Sequence, residues 1–388
     1  MAHGSAAVQD LLLSAQESVP TRMPALLMEA AAALGTDALV AYLADYGQER
    51  LTPFLGDGSP PRETVPIDGT LAGRAYALGV PVEGDGGSRL WLPISDAGHR
   101  IGVLEVDAKV PPDAGVRAAS AALASAVAGL LSSRWRYADA VERLRRGSAM
   151  QVATEIIWNL LPPLTFSATA VGVSGILEPC YDVGGDAFDY AIDGGKLHLA
   201  IFDGVGHGIT ASTLTTVALN AYRNARRCGL DLLDTVRSVD KWVNAQFPDL
   251  FVTGTLAELT LDEGLLRWVS AGHPGGLLLR NNQLVRDLPA PTALPLGLGR
   301  IDGPPEIAEE QLEPEDRVLF YTDGVIEARD IHGHFFGRDR LVDFVGRTLT
   351  DEVSPAETMR RLVKAILEHQ HEQLQDDATA LLLHWSGT

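Results

Sequence analysis

Two adjacent prolines, Pro162 and Pro163, close a stretch that reads as helix almost throughout from Ala118 to Leu161. Beyond them the apolar pattern changes from helical spacing to strand-like alternation. Proline inside a helix removes a donor and clashes with the preceding turn, so a pair of them marks an element's end. The chain therefore has to fold as more than one block. Its 388 residues agree, because ordinary domains hold roughly 100–200. With 46% apolar and 21% charged residues, each block can bury a core.

The 51 acidic residues outweigh 31 basic ones, for a net charge of −20. Such a field repels phosphate backbones and anionic lipid, so neither nucleic acid nor a membrane is an expected partner. The acidic excess is either an ordinary solvated surface or carboxylates gathered for divalent cations, and composition does not separate the two. Cys180 and Cys228 form no CxxC pair, which argues against a disulfide framework or structural zinc and fits a reducing cytoplasm. The opening Met1 to Ser5 lacks a basic and apolar leader pattern. The least polar run, Ala118 to Leu131, is shorter than the ~20 residues of a span, so no secretion signal or membrane segment is expected.

Residues 1–14 read as a disordered tail. In the following block, 15–133, Met23 to Leu34 has helical spacing closed by Gly35, and Ala38 to Leu43 reads as a strand. Leu71 to Leu78 is a short helix after Asp68-Gly69-Thr70, and Leu90 to Ile94 and Ile101 to Val106 are strands joined by a turn at Asp96 to His99. The text IDGTLAGRAYALGVPV followed by LWLPISDAGHRIGVLEV resembles a GAF domain, which implies a sensor for a small-molecule or protein signal. A PAS-like sensor or an inert dimerisation domain is the alternative. Residues 134–163 read as a helical linker, with Tyr137, Val141 and Leu144 at the 4–3 spacing of a coiled coil. That spacing leads to the expectation of a homodimer.

Residues 164–388 are β-rich, with strand signals at 168–176, 196–203, 254–260, 265–270, 276–280, 317–322 and 379–385. Helical blocks fall at 210–228, 232–247 and 355–373, so the fold class is α+β. Four acidic motifs punctuate this half: Asp182-Val183-Gly184-Gly185-Asp186, Asp203-Gly204-Val205-Gly206-His207-Gly208, Thr322-Asp323-Gly324 and Asp376-Asp377-Ala378-Thr379. Any one of them alone is an ordinary turn. Together they suit a hard divalent cation, which takes several oxygen ligands, and glycine lets backbone carbonyls approach as closely as carboxylates do.

In their order, and with TEIIWNLLPP, SAGHP (Ser270 to Pro274), PLGL (Pro295 to Leu298) and FGRDRL (Phe336 to Leu341), these motifs resemble the metal-dependent PPM (type 2C-like) protein phosphatases of the SpoIIE/RsbU branch over residues 150–388. The resemblance implies an α-β-β-α sandwich and two Mn²⁺ or Mg²⁺ ions. It assigns Asp186, Asp323 and Asp376 to one ion, Asp203 to a bridge, and the Gly204 carbonyl to the second, with Asp377 behind them or as an alternative ligand. It implies a phosphorylated serine or threonine protein as substrate, specifically a STAS-type anti-sigma factor antagonist. Many relatives read Asp-Val-Ser-Gly-His-Gly and Gly-Gly-Asp-Phe-Tyr-Asp where this chain has Asp-Gly-Val-Gly-His-Gly and Gly-Gly-Asp-Ala-Phe-Asp. Neither departure removes a ligand, and Asp189 keeps the last acid.

The rival reading is a catalytically silent signalling scaffold that keeps the fold as a binding module. A diguanylate cyclase reading of Gly184-Gly185-Asp186 is rejected, since Ala187 stands where an acid is needed and the later acidic turns would be unexplained. No Cys-x5-Arg loop supports a cysteine phosphatase. His207 and His273, both in glycine-bearing turns, are assigned structural roles.

Overall fold

The computed structural model describes residues 2–134, 138–179, 181, 184–289, 293–299, 306–350, 353–371 and 376–387. It divides into two compact units, Met1–Ala149 and Met150–Thr388.

The first unit opens with α1 (Ala2–Gln16) and α2 (Met23–Leu34), the latter capped by Gly35 in the left-handed conformation. Then come β1 (Ala38–Ala44), β2 (Arg50–Pro53), β3 (Val65–Pro66), α3 (Leu71–Leu78), β4 (Val82–Gly84), β5 (Arg89–Asp96), β6 (His99–Asp107), α4 (Ala114–Arg134) and α5 (Asp139–Arg145). Thr70 starts α3 by accepting from the Gly73 N–H at 3.0 Å, the capping role that short hydroxyl side chains serve. The strands form one antiparallel sheet in the order β3-β2-β1-β6-β5-β4. Alternation assigns one face (Leu39, Ala41, Leu43, Leu104, Val106) to the helices α1, α2 and α4. The other face (Val40, Tyr42, Trp91, Val103) lies under α3. The opposite face also buries Glu105, which the Arg62 Nε meets at 2.7 Å and the Arg89 Nε at 3.1 Å.

Two expectations change here. The segment read as a disordered tail is helical, because Ala7, Leu11 and Ala15 repeat every fourth residue and are buried along one stripe. The expected linker at 134–163 is interrupted around Gly147-Ser148, as that pair implies, and its first helix belongs to the first unit rather than standing free. Val141 of α5 is buried in the first unit's core with Leu144 against it, and the Tyr46 hydroxyl donates to Glu142 at 2.7 Å. The 4–3 spacing thus serves an intramolecular core, while Tyr137 lies outside the described residues. α4 is long and apolar enough by length and composition to cross a membrane, yet Leu123, Val127 and Leu131 pack into this core.

The second unit begins with α6 (Val152–Leu160), ended by Pro162-Pro163, then β7 (Thr165–Ser167), β8 (Val171–Glu178), β9 (Asp186–Asp193) and β10 (Lys196–Gly204). After them come α7 (Gly208–Arg227), α8 (Leu232–Gln246), β11 (Val252–Thr260), β12 (Leu265–Ala271), β13 (Gly276–Arg280), β14 (Gln283–Leu288), β15 (Ala308–Gln311) and β16 (Arg317–Tyr321). It ends with α9 (Asp323–Glu327), α10 (Arg338–Thr350), α11 (Pro355–His369) and β17 (Ala378–Trp385). Two antiparallel sheets result, β15-β12-β11-β10-β9 and β14-β13-β16-β17-β8-β7.

Their inner faces meet through Phe188, Leu199, Ile201, Trp268, Leu278, Val318, Phe320 and Leu383. α6, α7 and α8 cover the outer face of the first sheet through Ile157, Leu214, Leu219, Val236 and Val239. α10 and α11 cover the second through Leu341, Val345, Leu362 and Ile366. The layering is α-β-β-α.

Candidate active site

The acids gather because the strands that carry them end together. In the first sheet β10 is paired with β9 so that Asp203 faces Asp186, and with β11 so that Asp203 faces Thr253. In the second, β16 runs into Asp323 at the start of α9, and Asp376-Asp377 lead into the neighbouring β17. One end of the sandwich thus receives carboxylates from both sheets.

Burial raises the Asp186 carboxyl well above the usual range, and the Asp203 and Asp377 charges add to the effect. Asp203 is pushed up to about 7 by burial and then by Asp323, Asp376 and Asp377. Asp376 is raised by burial and by Asp323. These mutual effects place the acids within reach of one another's fields, since like charges a few ångströms apart disfavour ionisation.

Thr322 Oγ1 donates to Asp186 Oδ2 at 2.8 Å and accepts from the Thr379 N–H at 3.0 Å. Thr253 faces Asp203 from β11, and its Oγ1 lies 3.0 Å from His273 Nδ1. The Gly184-Gly185 loop is held from two sides. Asp377 Oδ2 accepts from the N–H groups of Gly184, Gly185 and Asp186 at 2.7, 2.6 and 3.2 Å. From α7, Ser212 Oγ donates to the Gly184 carbonyl at 2.8 Å and Thr215 Oγ1 to that of Gly185. A side chain at Gly185 would meet the Gly204 carbonyl at 2.2 Å, and one at Gly324 the Asp377 carbonyl at 1.9 Å. Glycine is required at both positions by close approach of backbone.

All six candidate positions, Asp186, Asp203, Gly204, Asp323, Asp376 and Asp377, lie among the described residues and belong to this end of the unit. Asp182 and Val183 of the first motif, and Cys180, lie outside them. Asp376 and Asp323 are exposed, whereas Asp377 is buried with both oxygens taken by backbone N–H groups. Among the described residues no three acidic, histidine or cysteine side chains converge as a preformed metal cage. The donor chemistry nevertheless suits a hard divalent cation: all-oxygen, multiply anionic, and mutually repulsive without a countercharge.

The remaining motifs are framework. Ser270 Oγ donates to the His273 carbonyl at 2.7 Å and shapes the SAGHP turn. In PLGL, Leu296 exchanges two backbone bonds of 2.8 Å with Val252, and Asp240 of α8 accepts from the Gly297 N–H at 2.8 Å. Phe336 and Leu341 of FGRDRL are buried under the second sheet. His207 is exposed at the start of α7 and makes no side-chain cap.

Asp189 accepts from Arg223 at 2.6 Å and Arg226 at 3.0 Å, and Arg223 also donates to the Leu160 carbonyl at the end of α6. Sequence reasoning missed Thr253, Ser212, Thr215 and the two arginines. They carry no turn or spacing signal and matter only through strand register and helix packing. Thr322 was visible as the residue before Asp323-Gly324, but not its role.

Residues 193–386, half of the chain, match the family described as Stage II sporulation protein E (SpoIIE). Phosphoserine phosphatase RsbU of Bacillus subtilis is 25% identical over 238 residues, which cover 61% of this chain and 70% of RsbU. Protein IcfG of Synechocystis is 22% identical over 281 residues, covering 63% of this chain and 42% of that protein. Among solved structures, the SiaA-PP2C domain of Pseudomonas aeruginosa superimposes with a TM-score of 0.50 at 23% identity, over 60% of this chain and 94% of that domain. It supports the PPM phosphatase fold for the second unit. The first unit is an α/β domain with a curled antiparallel sheet that these comparisons do not identify. By its match over residues 193–386, the chain belongs to the SpoIIE family.

Proposed function

We propose that the second unit is a metal-dependent protein serine/threonine phosphatase acting on a phosphorylated STAS-type anti-sigma factor antagonist in a partner-switching system. The observation that supports it is that both sheets bring Asp186, Asp203, Asp323 and Asp376 to one end of the sandwich, where burial and neighbouring charges raise the carboxyl groups of Asp186, Asp203 and Asp376. Two Mn²⁺ or Mg²⁺ ions would be held by the carboxylates of Asp186, Asp203, Asp323 and Asp376 together with the Gly204 carbonyl, an all-oxygen donor set that suits them. When bound, such ions supply Lewis acidity that activates water and neutralises phosphoryl charge.

The chain's own contribution is to hold the acids. Thr322 orients Asp186, and Asp377, whose oxygens are engaged by backbone, anchors the Gly184-Gly185 loop beneath the acids. Of the neighbouring pair, Asp376 is the residue left able to face a cation. The first unit is the regulatory element, a GAF-like sensor for a small-molecule or protein signal, and the enzyme works in the cytoplasm.

The test is phosphate release from a phosphorylated STAS-type protein with and without Mn²⁺, comparing the wild type with Asp203→Asn. Metal-dependent turnover lost in the variant supports the proposal. A wild type with no metal-dependent turnover points instead to the silent scaffold.

A further inference from the structure

We infer that Asp240 is a positioning residue for the strand end that carries Asp203 and Gly204, acting through the turn Pro295 to Gly299. The inference rests on the metal-dependent reading above and adds a residue to which that reading assigns no role. An aspartate in mid-helix gives up helix propensity, and a buried carboxylate costs free energy unless it is hydrogen-bonded. Asp240 lies in the middle of α8 and is 7% exposed. Its Oδ1 accepts from the Gly297 N–H at 2.8 Å and from the Gly299 N–H at 3.3 Å. One turn further along α8, Asn244 Nδ2 donates to the Gly297 carbonyl at 2.8 Å. Gly297 has a φ of 102°, and a side chain there would meet Val243 Cγ1 at 2.4 Å. Gly297 is thus fastened to α8 through both its amide and its carbonyl.

The fastened turn completes β11. β12 pairs with β11 only as far as Ala271 opposite Gly254, so Val252 and Thr253 extend past it. These are the two residues that face Gly204 and Asp203 from the other side. Leu296 takes the place of β12 there: it exchanges two backbone bonds of 2.8 Å with Val252, and both residues are fully buried. The Val252 N–H is therefore spent on Leu296, and the Gly204 N–H on the Gly185 carbonyl at 3.0 Å, so neither joins Gly204 to Val252. One step on, the Val205 N–H donates to the Phe251 carbonyl at 3.2 Å. The end of β10 is tied to residues 251 and 252, which Leu296 in turn holds. Asp240 fixes Leu296 through Gly297.

The test uses the full chain. In metal-free protein, Asp240→Ala should quicken amide exchange about tenfold or more at Leu296, Val252 and Val205, while amides in the middle of β10 and β11 keep their rates. Titration calorimetry well below melting should show Mn²⁺ bound roughly tenfold more weakly by Asp240→Ala, the low end of the range for partners that orient metal ligands. Asp240→Asn, whose amide oxygen still accepts, should bind Mn²⁺ nearly as wild type does. Unaltered Mn²⁺ affinity in Asp240→Ala overturns the inference, whether exchange quickens at the turn alone or evenly across the unit. Equal weakening by Asp240→Asn also overturns it, by assigning the effect to the lost charge.

If Asp240→Ala does not fold, Asn244→Ala, which gives up only the bond to the Gly297 carbonyl, carries the same comparison. Faster exchange at Val205 with weaker Mn²⁺ supports the inference, and wild-type Mn²⁺ affinity sinks it. No Mn²⁺ binding by the wild type sinks the reading beneath, and exchange at Val205 then decides by itself whether Asp240 holds the strand end.

Discussion

The Asp377 carboxylate lies 2.6 Å from the Gly185 amide nitrogen, and the same oxygen receives the Gly184 and Asp186 N–H groups. Its neighbour Asp376 makes a bond only to the Asp377 N–H, at 2.9 Å, among the described contacts. Two consecutive aspartates therefore do different work, one inside the loop and one toward solvent. Asp377→Asn places an NH₂ against a cluster of N–H donors, and bonds to a charged acceptor are worth about 1.5–3 kcal/mol each. Part of that loss is offset by relief of repulsion from Asp186. A net loss of about 2 kcal/mol should lower the metal-free melting temperature by about 4–8 °C. Asp376→Asn removes one of several like charges and should melt no lower than wild type, while weakening Mn²⁺. Calorimetric melts in chelator decide, and the reverse order of the two variants would exchange their roles.

Asp189 is buried with Arg223 and Arg226, which are themselves only 16% and 11% exposed. Taking away the negative member leaves two nearly desolvated guanidinium groups, a loss of about 3 kcal/mol for a broken buried pair. Asp189→Asn should therefore lower the second unit's melting temperature by roughly 6 °C or more. Because Arg223 also holds the Leu160 carbonyl, amide exchange at the end of α6 should quicken in the same variant. Unchanged exchange there would show that α6 is held by its apolar contacts alone.

Much of this arrangement was legible in the residues. Asp203, Asp323 and Asp376 follow or precede apolar runs that had to be strands, so their placement at strand ends followed from alternation. β9 was hidden, because Asp186, Asp189 and Asp193 interrupt its apolar text. Asp189 is tolerated inside only because two arginines on α7 neutralise it, a partnership 34 and 37 residues away. α1 was missed because its stripe of Ala7, Leu11 and Ala15 is thin and is credible only once α4 lies against it. The spacing of Val141 and Leu144 was read correctly as an apolar seam and attached to the wrong surface, since a 4–3 repeat shorter than a few heptads suits an intramolecular core equally well.

In the first unit, burial lowers the His99 imidazole to about 3, assisted by the positive charges of Arg145 and Arg100. The unfolded chain takes up that proton near pH 6.5, the folded chain far lower, so the unfolded state binds more protons between those values. Stability should be full above about pH 6.5 and fall as pH drops toward 3. At pH 5 the loss is about 2 kcal/mol, at 1.36 kcal/mol for each unit below 6.5. His99→Gln should flatten the pH dependence of the first unit's melting temperature between pH 5 and 7.5. An equal slope in both proteins would assign acid sensitivity to other groups.

Carboxylates that raise one another's proton affinity leave the metal-free second unit with repulsion that a cation would relieve. A ligand that binds only the folded state, present at about 100 times its Kd, adds about 2.7 kcal/mol. Mn²⁺ at that level should raise the second unit's melting temperature by about 5–11 °C, and excess chelator should reverse the gain. Ionic screening would also ease repulsion, so the control is NaCl at equal ionic strength, which should give only a small part of the shift. Asp203→Asn should lose most of the Mn²⁺ gain while melting no lower than wild type in chelator, because it removes a charge that the metal-free fold holds at a cost. Identical Mn²⁺ shifts in the wild type and the variant would place the cation elsewhere on this acidic surface and leave Asp203 without the bridging role.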